Sequence, residues 1–128
     1  MKILLVEDDP DDIELLQDAL DKYAVPYQMD VIKDGNAANN HFKTSTAYPD
    51  IIILDFNLPK VHGRDVILTI KSTSNFNTVP LLILTTSSAK EDIDYSYQHG
   101  ADKYLLKPIN LEQIKTMVDT IITLGTKN

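Results

Sequence analysis

The chain has 128 residues and no cysteine, and its formal net charge is −7 at pH 7. The length suits one domain with one core over residues 1–128, and the lack of cysteine excludes disulfides and thiolate metal sites. The acidic balance argues against nucleic acid as a partner, because sequence-independent binding to phosphates relies on basic patches.

Five short apolar runs alternate with helix-like segments. They are Ile3–Val6, Tyr27–Ile32, Ile51–Leu54, Leu81–Leu84 and Tyr104–Leu106. The third and fourth are almost continuously apolar, as in strands covered on both faces, whereas the second is mixed and indicates an edge strand. The first is too short for a signal peptide, and no run approaches a membrane span, so we expect a cytoplasmic chain without a membrane partner.

The segments between these runs have helical spacing. The clearest are the first and last, with apolar residues Ile13, Leu16, Leu20 and Tyr23, and Leu111, Ile114, Met117, Val118, Ile121 and Ile122. Two shorter segments cover Asn36–Lys43 and Arg64–Ser72, and a fourth carries Tyr95 and Tyr97, one of which should be partly exposed. Predicted helix starts are Asp9 before Pro10, Ser88 paired with Glu91, and Asn110 paired with Gln113.

This alternation predicts an α/β fold of the (βα)5 type. Right-handed crossovers would give a doubly wound, five-stranded parallel sheet with helices on both faces. In such sheets, ligands bind beyond the carboxyl ends of the strands, so we look for the functional residues there.

Acidic residues follow two of the predicted strands directly. The first strand runs into Glu7, Asp8 and Asp9, and the third runs into Asp55. If these strands are neighbours, like charges about 4 Å apart would repel by roughly 4 kcal/mol at an effective dielectric near 20. A hard divalent cation with oxygen ligands would offset that repulsion. Helix capping could explain Asp8 or Asp9, but not both together with Glu7.

Two other strand ends bring a hydroxyl and an amine. The fourth strand ends on Thr85, beside an equally suitable Thr86, and the fifth ends on Lys107 before Pro108, where a cis bond would be tolerated. Acids, a hydroxyl and an amine at one edge suit a phosphoryl group. Asp55 could supply the nucleophile and form an acyl phosphate.

Four stretches carry a family resemblance: “LLVEDDP”, “IIILDFNLP”, “VPLLILTTSS” and “GADKYLLKP”. In this order and at these separations, they resemble the receiver domains of two-component response regulators over essentially the whole chain. The resemblance implies a flavodoxin-like receiver fold with strand order 2-1-3-4-5. One departure is Val61-His62 in “PKVHG”, a variable loop in which Met-Asp is frequent in the family.

The family resemblance also implies a metal site. It implies Mg²⁺ held by Asp8, Asp55 and the backbone carbonyl of Asn57, with Glu7 acting through water. Asp9 would then serve as the helix cap, and Asp11 and Asp12 would be favourable first-turn charges.

The same resemblance assigns the phosphoryl chemistry and the switch. Asp55 would be the phosphoacceptor, and Thr85, which the family spacing favours over Thr86, would grip the phosphoryl group together with Lys107. Tyr104 would be the aromatic residue that swings inward on activation, unless it is a plain core residue.

The implied function is a phosphorylation switch rather than a conventional enzyme. A sensor histidine kinase would phosphorylate Asp55, and the face of helix 4, strand 5 and helix 5 would change shape and signal to an unidentified downstream protein. The region from “NLPKVHGRDV” to “GADKYLLKP” resembles stand-alone receivers that work with bacterial phytochrome kinases, and a kinase of another sensory class is the alternative. We expect no output domain, so output would pass through a partner, a return phosphotransfer or an oligomer. Spare apolar residues on the last helix would allow a homodimer.

Rival interpretations use the same acids differently. A haloacid dehalogenase-type hydrolase also uses an aspartyl nucleophile and Mg²⁺, but its key Asp-x-Asp usually follows the first strand, whereas Asp55 follows the third. A phosphorylation-independent scaffold often lacks the acid pair or the lysine, both of which occur here. An intermediate in a phosphorelay would keep the same site.

Overall fold

The computed structural model describes residues 1–126 and contains five strands and five helices that alternate along the chain. The elements are β1 (Lys2–Val6), α1 (Pro10–Lys22), β2 (Gln28–Ile32), α2 (Gly35–Thr44), β3 (Ile51–Leu54), α3 (Gly63–Ser72), β4 (Leu81–Thr85), α4 (Lys90–Gln98), β5 (Lys103–Leu106) and α5 (Leu111–Gly125). The strands form one parallel sheet in the order β2-β1-β3-β4-β5, so the predicted (βα)5 fold and strand order are confirmed.

Two hydrophobic cores cover the two faces of the sheet. On one face, residues of α2 and α3 such as Phe42 and Ile67 pack against alternate strand residues. On the other, residues of α1 and α5 such as Leu16 and Val118 pack against the remaining strand residues. Successive strand side chains point to opposite faces, so a strand buried on both must be apolar throughout. This requirement explains the unbroken run Ile51–Leu54, whose side chains are all 0% exposed.

The helix starts agree with two of the three sequence predictions. Asp9 accepts a hydrogen bond from the Asp11 N–H (2.9 Å) and caps α1, and Asn110 accepts one from the Gln113 N–H (2.9 Å) and caps α5. The predicted pair of Ser88 with Glu91 is wrong, because the N-cap of α4 is Ala89, which makes no side-chain cap bond.

A different serine organises the start of α4. The Ser87 hydroxyl accepts a hydrogen bond from the Ala89 N–H (3.3 Å) and donates one to Asp92 (2.5 Å). The first bond satisfies the N–H of the N-cap residue from outside the helix, and the second holds a side chain of the first turn. The helix therefore starts one residue later than the capping-box pattern predicted.

Two other sequence predictions concern the Lys107–Pro108 peptide bond and the exposure of the tyrosines on α4. No cis peptide bond occurs in residues 1–126, so the Lys107–Pro108 bond is trans, which is the preferred form even before proline. Tyr97 is 46% exposed while Tyr95 is half-buried, as expected for two tyrosines that point in different directions on α4. None of the helices described has the length and apolar character needed to cross a membrane.

Candidate functional site

The predicted site residues emerge from backbone that the sheet holds in place. The Glu7 N–H donates to the carbonyl of the last residue of β2 (2.9 Å), and the Asp55 N–H donates to that of β1 (3.0 Å). The Lys107 N–H donates in the same way to the carbonyl of Thr85, the last residue of β4 (2.9 Å). Each bond extends the ladder beyond the regular strand, so these side chains start from fixed positions at one edge.

Gly63 brings α3 close to the turn after β3. Its N–H donates to the Phe56 carbonyl (3.0 Å), and a Cβ added to it would lie 2.6 Å from the Phe56 Cα and 2.8 Å from the Asp55 carbonyl oxygen. Only a residue without a side chain allows this approach, which fixes the backbone that carries the Asp55 carboxylate.

Three carboxylates meet at this edge, as the sequence predicts. One oxygen each of Glu7, Asp8 and Asp55 lies within 4.8 Å of the others. Glu7 and Asp55 are each 3% exposed, whereas Asp8 is exposed to solvent. Clustered carboxylate oxygens are the donors that Mg²⁺ and similar hard cations prefer, so this donor set fits the implied metal.

The environment of Glu7 reflects the crowding of negative charge. Burial, together with the nearby Asp55 charge, raises the pKa of Glu7 from 4.5 to about 7, although Lys107 opposes the rise. One Glu7 oxygen also accepts hydrogen bonds from the N–H groups of Asp8 (3.1 Å) and Asp9 (3.3 Å). A buried carboxyl with a raised pKa would become fully charged more readily beside a divalent cation.

Lys107 supplies the positive charge of the site. Its Nζ lies 2.7 Å from Glu7 Oε1, 3.2 Å from Asp55 Oδ2 and 2.6 Å from Asp12 Oδ2. Burial lowers the pKa of Lys107, but hydrogen bonds to Asp12 and Glu7 and the Asp55 charge outweigh burial and raise it, so the amine stays protonated.

Asp12 is the site residue that the sequence analysis missed. We expected it to be a first-turn charge of α1, which it also is. Position alone gave no sign of its second contact, because Lys107 lies 95 residues further along the chain. Only the packing of α1 against the end of β5 brings the two together.

Asn57, after β3, and Thr85, at the end of β4, have different hydrogen-bond partners. The Asn57 N–H donates to Asp55 Oδ1 (3.2 Å), and the Asn57 side chain donates to Thr86 Oγ1 (3.2 Å). Thr85 is 0% exposed, and its hydroxyl oxygen accepts a hydrogen bond from the Ser87 N–H (3.4 Å). Among residues 1–126, no hydrogen bond joins Thr85 to Asp55.

Tyr104 is buried against the same loop. Its ring packs edge-on to Phe56, with ring centroids 6.1 Å apart, and its hydroxyl donates to the Ser87 carbonyl (2.7 Å). Its backbone N–H donates to the Tyr97 hydroxyl (3.0 Å). Ser87 is therefore bonded to both predicted switch residues, Thr85 through its N–H and Tyr104 through its carbonyl.

A charged network ties this loop to α3. Arg64 contacts one oxygen of Asp92 with two of its nitrogens, the Nε at 2.9 Å, while the Ser87 hydroxyl donates to the other oxygen (2.5 Å). The Ser87 bond and the Arg64 charge lower the pKa of Asp92, although burial opposes this. Arg64 also lies over the Tyr95 ring, 5.2 Å from its centroid. Sequence reasoning missed this network, because nothing in the pattern links α3 to the start of α4.

Comparison with known proteins agrees with this architecture. The family model “Response regulator receiver domain” matches residues 3–119. The chain is 36% identical to “Response regulator Rcp1” of Synechocystis sp. over 124 residues, which cover 93% of this chain and 84% of Rcp1.

Solved structures of two such proteins superpose closely. One is the phosphorylated cyanobacterial phytochrome response regulator RcpA, with a TM-score of 0.85 and 36% identity, covering 98% of this chain and 94% of that one. The other is the Mn²⁺-bound form of Rcp1, with a TM-score of 0.85 and 34% identity, covering 99% and 96%. The family match spans nearly all of the chain, and it rules out the dehalogenase-type alternative. This chain therefore belongs to the response regulator receiver domains of two-component signalling.

Proposed function

We propose that this receiver accepts a phosphoryl group onto Asp55 from the phosphohistidine of a sensor histidine kinase, in a Mg²⁺-dependent reaction. The observation that carries the proposal is the position of the Asp55 carboxylate, buried between the Lys107 ammonium and the carboxylates of Glu7 and Asp8. An Asp55 oxygen would attack phosphorus, the P–N bond would break, and its electron pair would stay on the departing imidazole nitrogen.

The chain's own residues have distinct parts in this proposal. Glu7, Asp8, Asp55 and the Asn57 backbone carbonyl would hold Mg²⁺, which when bound neutralises charge on the phosphoryl oxygens. Lys107 would give up its contact with Asp55 and bind a phosphoryl oxygen instead, and its protonated state supports that part.

The proposed response is a shift between two conformations. Thr85 would exchange its bond with Ser87 for one with the phosphoryl group, and Tyr104 would respond through its own bond to Ser87. The face of α4, β5 and α5 would then present a different surface, with the phosphoryl group favouring one state by its differential contacts.

The partners follow from relatives and from surface chemistry. Similarity to RcpA, a cyanobacterial phytochrome response regulator, supports a phytochrome-type kinase as the phosphodonor. A kinase of this kind needs ATP, so the proposal places the chain in the cytoplasm. The downstream partner would be a protein. The exposed side chains of Leu106, Ile109 and Leu111 could form an apolar contact with that partner or with a second copy of the chain.

Asp55→Asn tests the proposal. The protein is incubated with Mg²⁺ and a small acyl phosphate donor, and acid-labile phosphate is measured by intact mass. We expect the wild type and the control Asp94→Asn, which removes an exposed carboxylate of α4, to take up phosphate, and Asp55→Asn to take up none. Equal uptake by Asp55→Asn would remove Asp55 from its role. If the wild type accepts phosphate from neither the small donor nor any histidine kinase, the phosphorylation-independent scaffold would be favoured.

A further inference from the structure

The Lys107 ammonium contacts three carboxylates. Its Nζ donates hydrogen bonds to Asp12 (2.6 Å) and Asp55 (3.2 Å) and forms an ion pair with Glu7 (2.7 Å). The side chain of Lys107 is only 14% exposed, so water can replace few of these partners if they are lost.

The three carboxylates are not equivalent. Glu7 and Asp55 also belong to the acidic cluster with Asp8, whose oxygens could surround a cation. Asp12 lies outside that cluster, on the first turn of α1, and its side chain is 33% exposed. Anything that binds the cluster therefore competes with the ammonium for two of its partners and leaves the third untouched.

We propose that Asp12 is a positioning residue that holds the Lys107 ammonium at the site when a divalent cation or a phosphoryl group engages Glu7 and Asp55. The inference deepens the proposed function and rests on it for the phosphoryl part. Asp12 need not touch the cation or the phosphorus. It acts only through Lys107, by giving the displaced ammonium a charged partner that costs no movement of the backbone.

The physical basis is the cost of an unpaired charge. A mostly buried ammonium that lost Glu7 and Asp55 would be poorly solvated, so without Asp12 it would resist leaving them. Removing Asp12 should thus strengthen the competition between the ammonium and the cation, and weaken cation binding. It should also let the lysine tip move once the cation is bound.

Asp11→Asn is the matched control for Asp12→Asn. Asp11 is the preceding residue of the same helical turn, it is exposed, and it makes no ion pair with Lys107. Both variants remove one negative charge near the site, so the difference between them isolates the contact with the ammonium from the general loss of charge.

The first test is a Mg²⁺ titration by calorimetry of the unphosphorylated full chain. We expect Asp12→Asn to weaken the affinity at least about threefold more than Asp11→Asn does, a coupling within the usual range for residues in contact. In a Lys107→Met background, this extra loss should vanish. Equal effects of the two asparagine variants, an extra loss that persists without Lys107, or no Mg²⁺ binding by the wild type would each overturn the inference.

A second measurement does not depend on the folding of the Lys107→Met variants. The order parameter of the Lys107 ¹³Cε, from NMR relaxation at saturating Mg²⁺, should fall in Asp12→Asn and stay at the wild-type value in Asp11→Asn. An unchanged order parameter in Asp12→Asn would contradict the anchoring role.

Neither measurement involves phosphate uptake, so failures of the two proposals can be told apart. If the wild type takes up phosphate but Asp12→Asn behaves like Asp11→Asn, the anchoring role fails alone. If the wild type takes up no phosphate, the proposed function fails, whatever the titration gives.

Discussion

Replacing Glu7 with glutamine should stabilise the protein in the absence of divalent cations at pH 8. Glu7 is 3% exposed, and its carboxylate faces Asp55 and Asp8 at short range. Glutamine is nearly the same size and keeps one oxygen that accepts hydrogen bonds, but it carries no charge. The substitution therefore removes a buried negative charge from a cluster that already has two others.

The size of the effect follows from the raised pKa of Glu7. A rise from 4.5 to about 7 means that holding this carboxyl charged in the folded protein costs about 3 kcal/mol. The folded protein binds the Glu7 proton more tightly than the unfolded chain, so stability from this group is present below about pH 4.5 and lost as pH rises to about 7. Glutamine has one carbonyl oxygen in place of two carboxylate oxygens, so it loses either the contact with Lys107 or the hydrogen bonds from the backbone N–H groups. This loss offsets about 1 kcal/mol of the stabilisation.

Urea unfolding in EDTA from pH 4.5 to 8 measures the effect. At pH 8, we expect the free energy of unfolding of Glu7→Gln to be about 1–3 kcal/mol higher than that of the wild type. This difference should shrink by about 3 kcal/mol as pH falls to 4.5. Titrating groups remote from Glu7 cancel in this difference. Glu14→Gln, which changes an exposed carboxylate of α1, should give a nearly flat difference. A Glu7→Gln difference that does not change with pH would refute the reasoning.

Three further outcomes are expected. Mg²⁺ affinity should weaken by up to about tenfold per pH unit below about pH 7, since Glu7 must lose its proton beside the cation; calorimetry that finds equal affinity at pH 6 and 8 would contradict this. Gly63→Ala should cost about 2 kcal/mol or more in urea unfolding, because its Cβ would press on the Phe56 backbone, and a neutral effect would mean that α3 can move away. Tyr104→Phe should cost about 1 kcal/mol by removing the donor to the Ser87 carbonyl, and full stability in the variant would show that water replaces the hydroxyl.

The fold was predictable because two signals agreed. Unbroken apolar runs such as Ile51–Leu54 indicate strands buried on both faces, and the helical spacing between them indicates crossovers. The strand order came from resemblance to a family, since alternation alone does not choose which strands are neighbours. The caps at Asp9 and Asn110 were readable from local sequence, but the start of α4 was not, because Ser87 and Asp92 interact there through a loop.

The site was predictable to the extent that its residues end strands. Glu7, Asp55 and Lys107 follow β1, β3 and β5, and a parallel sheet brings such positions to one edge. Asp12 and the pair of Arg64 with Asp92 lie on helices, where an exposed-looking charge gives no sign of its partner. Those contacts depend on how the helices pack on the sheet, which sequence periodicity does not specify.

The contacts of Ser87 limit the number of conformations that the molecule can adopt. One residue holds Thr85, Tyr104 and Asp92 by three separate groups, its N–H, its carbonyl and its hydroxyl. A displacement of the loop strains all three links together, so intermediates in which only one of them has let go should be scarce. Signal output from such a junction would be all-or-none in each molecule, and a graded response would be an average over the population.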